Sequence, residues 1–235
     1  HDWRIAALAT LSAAALGISD WNVRPQAFTF WLAPVFLLVI QAYCRAPRRF
    51  LLAIFPLGMM IWANCHGSFL IGLLLIGLWL AQEMMATLGA LISCEKDRPR
   101  GRLTGAATAL ATAALACLVN PRGVGIVTYV RDLTSNSVVQ QLVPEWAPPT
   151  FSDHSGSLFL FSLLGLAGAL ALSPKRPSVF QLMSFLGFAL LGLRTMRGAI
   201  WFGLVMAPVL ADHAAALTRR HGVTQSTSSA RGSAT

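Results

Sequence analysis

Trp62-Ala63-Asn64-Cys65-His66-Gly67-Ser68 interrupts two of the most apolar runs in the chain, Phe50 to Ile61 before it and Phe69 to Ala81 after it, neither of which carries a charge. An Asn, a His and a Ser have no place in hydrocarbon without partners, because each unpaired polar group there costs several kcal/mol. The run from Phe50 to Asn64 is 15 residues, about 22 Å of helix against a hydrocarbon core about 30 Å thick. A helix that starts at one interface therefore ends short of the other. The stretch reads as a helix-to-helix turn held below the outer surface and lining a water-accessible pocket, with Gly67 permitting the turn and Ser68 capping the next helix. The competing reading is a plain membrane hairpin whose polar residues only cap helices. Polar groups inside membranes tend to be functional, which favours the pocket.

Outward from this stretch the same character holds. Hydrophobic residues make up 55% of the 235-residue chain and charged ones 11%, and the apolar runs are too many and too long for a soluble core of this size. The net charge of +9 does not indicate nucleic acid, because the basic residues sit in short loops and form no contiguous face. Cys44, Cys65, Cys94 and Cys117 fall into no metal-binding spacing, and separate thiols are favoured over a Cys65–Cys117 disulfide. The chain opens at His1 with no charged n-region or cleavage site before its first apolar run, so no signal peptide is visible and a preceding segment is expected.

Eight apolar spans are expected, near 5–19, 26–43, 50–64, 69–90, 103–119, 156–173, 178–193 and 198–214, several shorter than the roughly 20 residues of a simple crossing. The fold class is all-α: a polytopic membrane helix bundle over 1–214 with an outer juxtamembrane helix, followed by a disordered cytoplasmic tail over 215–235. Arg24, Arg122, Arg131, Arg194 and Arg197 lie in loops on one side. The other thirteen basic residues, including Arg45, Arg48, Arg49, Lys96, Arg98, Arg100 and Arg102, lie on the opposite side. The positive-inside rule makes that side cytoplasmic and places residues 62–68 and the loop 120–155 outside. The Ala-, Thr- and Gly-rich span from Thr104 to Cys117 suits a central helix that neighbours approach closely. Pro34, Pro56 and Pro208 fall inside spans, where neighbouring helices must absorb the lost hydrogen bonds. Asn120-Pro121-Arg122-Gly123 matches a type I turn, and Val124, Ile126, Val127 and Val130 then recur at helical spacing, predicting a helix along the membrane surface. Pro144 to Pro149 is a stiff piece that presents Glu145 and Trp146.

The outer loops hold more polar residues than topology requires. Arg24, Asn64, His66, Asn120, Arg122, Trp146, Arg194 and Arg197 are the candidate substrate-binding residues, because guanidinium forks match phosphate oxygens and an anionic headgroup is their natural partner. Each has a plainer alternative: Arg194 and Arg197 as snorkelling anchors, Arg131 as a lipid-headgroup contact, His66 as a hydrogen-bonded structural residue. Glu145 and Asp153 are the candidate catalytic acids. With His154 they also offer ligands for a divalent cation, though no spacing enforces such a site, and no cofactor or metal is otherwise indicated.

Arg24-Pro25-Gln26, Trp62-Ala63-Asn64 followed by His66-Gly67-Ser68-Phe69, Val119-Asn120-Pro121 with Gly123, Glu145-Trp146 with Pro148, and Arg194 with Arg197 before Pro208 recur in that order in bacterial multi-pass proteins of the GT-C glycosyltransferase-like superfamily. The resemblance covers residues 20–212. It implies a bacterial inner-membrane protein that binds a polyprenyl-phosphate-linked sugar at the outer face and transfers the sugar to an extracytoplasmic acceptor. Such chemistry needs a carboxylate to deprotonate the acceptor and cations for the departing phosphate. Two departures matter. The acidic residue that the family carries in its first outer loop would lie upstream of His1, and Arg122 stands where relatives commonly carry an aromatic. A transporter or flippase of an anionic solute, and a non-catalytic subunit of the same fold, are the rival readings. The first of these predicts internal repeats, which the sequence does not show.

Overall fold

Two prolines explain how the first long apolar segments fold. Pro34 is the third residue of α2 (Leu32–Arg45) and Pro56 the third of α3 (Ile54–Cys65). Each is preceded by a short 3₁₀ turn, Pro25–Thr29 and Arg49–Ala53 respectively. The first N–H groups of a helix have no intrahelical partner, so a proline there removes nothing, whereas an α-helix running through it would lose a bond and clash. The segments expected at 26–43 and 50–64 therefore each change from 3₁₀ to α-helix just ahead of their proline, the α-helix beginning two residues before it. Among the described residues only Pro208 sits in a helix interior.

The computed structural model describes residues 3–18, 25–93, 101–135 and 142–232. Among these the protein is all-helical, with α1 (Trp3–Leu16), α4 (Phe69–Ile92), α5 (Gly101–Ala116), α6 (Gly125–Ser135), α7 (His154–Leu172), α8 (Val179–Arg194) and α9 (Arg197–Gly232) completing the set. Each of the eight expected apolar segments falls on a helix, and α6 is a ninth. Among the described residues four segments are long and apolar enough to cross a membrane: Pro25–Arg45, Phe69–Ile92, His154–Leu172 and Arg197–Arg219. The others fall short of eight full crossings for a simple reason. The 14 residues of α1 and the 16 of α8 make only about 21–24 Å of helix. The tail expected from 215 begins as a continuation of α9, whose helix extends to Gly232 with no proline beyond Pro208 to stop it.

The chain forms two compact units, His1–Asp20 with Glu145–Thr235, and Trp21–Pro144. In the second unit α3 and α4 pack on α5, and α2 packs on α4. Its core is a run of edge-to-face and tilted rings: Phe36 on Phe55 (centroids 5.1 Å) and Trp62 (5.9 Å), Phe55 on Trp79 (5.8 Å), and Trp79 on Tyr43 (5.5 Å). Glycines make room for these rings. A Cβ at Gly58 would stand 2.7 Å from Phe36, one at Gly72 3.0 Å from Trp62, and one at Gly105 2.6 Å from the Tyr43 ring. The small-residue face of α5 (Gly105, Ala106, Ala109, Ala113) is buried as expected, but Leu115 on its other side is 66% exposed. This helix is thus packed on one face rather than enclosed.

In the first unit α9 packs against α1, α7 and α8. Phe159, Phe188 and Phe202 fill its centre, Phe159 meeting Phe202 at 5.4 Å. Gly203 lets α9 approach the backbone of α1, its added Cβ falling 3.1 Å from Ala13 Cα. Two features build the α7 and α8 entries. Asp153 caps α7 by accepting from Gly156 N–H at 2.6 Å, and Ser178 with Gln181 forms a capping box at α8.

Candidate functional site

The interruption at residues 62–68 is a tight turn between α3 and α4, and its polar groups are mostly spoken for. His66 N–H donates to the Trp62 carbonyl (3.0 Å) and closes α3. Ser68 N–H donates to His66 Nδ1 at 3.1 Å, so this nitrogen is the acceptor and the neutral ring carries its proton on Nε2. Ser68 does stand at the N-cap of α4, but its hydroxyl makes no cap bond. It accepts instead from the buried Trp62 indole at 3.0 Å and lies 3.5 Å from the Thr29 hydroxyl. The expected role of Gly67 is also corrected. Among the described residues the left-handed glycine is Gly123, at φ 50°, and the turn at 66–68 needs no such conformation.

Gly123 belongs to the second component, the turn after α5. Gly123 N–H donates to the Asn120 carbonyl at 3.0 Å, closing the turn that Asn-Pro-Arg-Gly predicted. Asn120 holds it from inside: its Oδ1 accepts from Arg122 N–H at 2.7 Å, and its Nδ2 donates to the Cys117 carbonyl at 2.6 Å. Asn64 joins this turn to the first. One hydrogen of its amide goes to the Met60 carbonyl at 2.8 Å and the other to the Val119 carbonyl at 2.7 Å, 55 residues away.

Between the two turns lies a cavity of about 220 Å³ lined by Asn64, His66, Gly67, Asn120, Arg122 and Tyr129, among others. Pockets that bury a drug-sized ligand run to roughly 300–1,000 Å³, so this one takes a group the size of a phosphate rather than an entire lipid-linked sugar. Its exposed cation is Arg122, whose guanidinium sits 4.3 Å from the centre of the Tyr129 ring. Stacking on an aromatic face steadies a guanidinium while leaving its edge donors available. Roles within this pocket therefore divide. Asn64 and Asn120 shape the backbone, and Arg122 and His66 are the groups with chemistry to offer a ligand. Tyr129 escaped the sequence reading, although its spacing of seven residues from Arg122 was the available signal.

The other candidates lie in the first unit. Arg197 Nε donates to Glu145 Oε2 at 3.0 Å and its guanidinium lies 5.2 Å from the Trp146 ring. Both charged side chains are less than a third exposed. Met196 N–H donates to the Ala147 carbonyl at 2.9 Å, pinning the Pro144–Trp146 turn to the α8–α9 junction. Arg194 is exposed at the end of α8. Asp153 is exposed and bonded to Gly156 N–H and to the Thr150 hydroxyl (2.9 Å), which together hold its carboxyl below the ordinary range. Arg24 lies outside the described residues. Glu145, Asp153 and His154 do not gather into a metal site: among the described residues no three His, Cys, Asp or Glu side chains cluster to hold an ion. Cys44, Cys65 and Cys117 are free thiols.

The fold and site thus define a helical protein with four candidate membrane spans and a small polar pocket closed by two turns. No family model matches the chain, and neither a characterised protein nor a solved structure is significantly similar to it.

Proposed function

We propose that the chain is a multi-pass protein of the bacterial inner membrane that binds the phosphate of a polyprenyl-phosphate-linked sugar in the pocket between residues 63–69 and 120–129, on the outer face, and passes the sugar to an extracytoplasmic acceptor. The observation that carries this reading is Arg122, stacked on Tyr129 at the mouth of a phosphate-sized cavity whose backbone is fixed by two asparagines. A guanidinium kept beside a membrane-spanning bundle and steadied by an aromatic suits a phosphate monoester or diester.

A second reading has its own support. Both acidic candidates are engaged structurally, Glu145 with Arg197 and Asp153 as the cap of α7, which suits a subunit that binds the lipid-linked sugar without turning it over. One experiment separates these. Purified chain is mixed with radiolabelled polyprenyl-phosphate-sugar, and retained and transferred label are both measured. Retention competed by polyprenyl phosphate but not by polyprenol supports phosphate recognition, and label moved to an acceptor supports the transferase. Equal competition by polyprenol sinks both readings.

A further inference from the structure

The residues 21–144 unit carries a second concentration of guanidinium groups, at the end opposite its pocket. The pocket lies at the end of α3, whereas Arg48 and Arg49 lie just before α3 begins, and Arg45 is the last residue of α2. Arg102, in the first turn of α5, donates through Nη2 to the Cys44 carbonyl, which adds a fourth guanidinium at the same helix end. That bond accounts for one of its donors. Its Nε is buried and meets no partner. A buried charged N–H without an acceptor is costly, so the niche calls for an anion.

The surroundings specify which kind. The described carboxylates of this unit are Glu83, which is 2% exposed beneath the rim, and Asp132 on α6. Neither supplies an exposed counter-charge at the rim. The candidate span Pro25–Arg45 stops at this level. Apolar side chains open to the surroundings follow the arginines along the chain: Phe50, 66% exposed, directly after Arg49, and Leu57, 58% exposed, in the first turn of α3. Cations at the end of a span, with bare aromatic and aliphatic groups alongside, match a lipid whose phosphate lies over the charges and whose chains lie over the apolar groups.

We infer that Arg45, Arg48, Arg49 and Arg102 form a binding site for the phosphate of an anionic phospholipid headgroup of the surrounding bilayer. This site is independent of the pocket at residues 63–69 and 120–129. The test uses the full chain in neutral detergent, titrated with dioleoylphosphatidylglycerol or dioleoylphosphatidylcholine and read by native mass spectrometry as retained lipid. Phosphatidylglycerol is retained in preference to phosphatidylcholine, and millimolar inorganic phosphate does not displace it. The triple variant R45Q/R48Q/R49Q changes exposed side chains only and weakens phosphatidylglycerol binding roughly a hundredfold. The matching lysine triple variant keeps most of the preference. Equal retention of the two lipids by the unaltered chain, displacement by free phosphate, or undiminished phosphatidylglycerol binding by the glutamine variant overturns the assignment. The comparison of lipids on the unaltered chain stands even if a variant fails to fold.

Discussion

Replacing Asn64 tests how the pocket is held together. Its amide offers two hydrogens, and both are used, toward Met60 and toward Val119. The Met60 carbonyl already accepts a backbone bond within α3, so its loss of the amide is minor. The Val119 carbonyl loses the tie that fixes the Asn120–Gly123 turn against the end of α3. A neutral hydrogen bond contributes about 0.5–1.5 kcal/mol net, and the exposed position of Asn64 puts the expected loss for Asn64→Leu near 1 kcal/mol. The same energy, taken as the cost of ordering Arg122 when a ligand binds, weakens affinity about fivefold. Asn64→Asp is the sharper variant, because it sets a carboxylate against two carbonyl oxygens and falls below Asn64→Leu in both properties. Thermal unfolding in detergent and equilibrium binding of a short-chain polyprenyl phosphate measure the two effects. An Asn64→Asp protein as stable and as tightly binding as the unaltered chain refutes the reasoning.

Three further outcomes follow from the geometry. Gly105→Ala drives a Cβ into the buried Tyr43 ring and costs about 1–3 kcal/mol; an unchanged unfolding temperature contradicts this packing. Tyr129→Leu removes the face beneath Arg122, worth about 0.5–1 kcal/mol at an exposed site, and weakens polyprenyl-phosphate binding about two- to fivefold; unchanged affinity means the stacking does not serve the ligand. The Asp153 carboxyl is depressed by bonds from Gly156 and Thr150, so its contribution is complete above the unfolded value near pH 4 and is lost as pH falls through the lower folded value. Asp153→Asn caps α7 without titrating and flattens that part of the acid-unfolding profile; identical acid slopes for the two proteins contradict the assignment.

What the sequence made legible was set by strong local physics. Runs such as Phe69 to Ala81 have only one way to satisfy their backbone in an apolar setting, and every such run is a helix. Asn120-Pro121-Arg122-Gly123 carries its turn in its own side chains, and the turn is there. The change from 3₁₀ to α-helix just ahead of Pro34 and Pro56 was readable in principle from the fixed φ and missing donor of proline, but apolar composition hid it. The misreading at Gly67 and the unforeseen partner of Ser68, which is the N-cap of α4 as expected, have a different origin. The Ser68 hydroxyl was taken by Trp62, a partner six residues back that local capping rules do not include. Tyr129 was hidden because a cation–aromatic contact depends on where the turn at 120–123 sends the chain. Pairings across long separations, such as Asn64 with Val119 and Arg197 with Glu145, have no signature in one sequence. The same holds for the partition of the candidate residues between two compact units.

The affinity of Arg122→Gln for polyprenyl phosphate tests the central claim most directly. Gln keeps a hydrogen-bonding amide on a shorter side chain and removes the charge that a phosphate requires, and a charge-assisted bond contributes about 1.5–3 kcal/mol. The account predicts binding weakened roughly ten- to a hundredfold, with Arg122→Lys falling between Gln and Arg because it keeps the charge and loses the stacked fork. Binding by Arg122→Gln equal to that of the unaltered chain contradicts it.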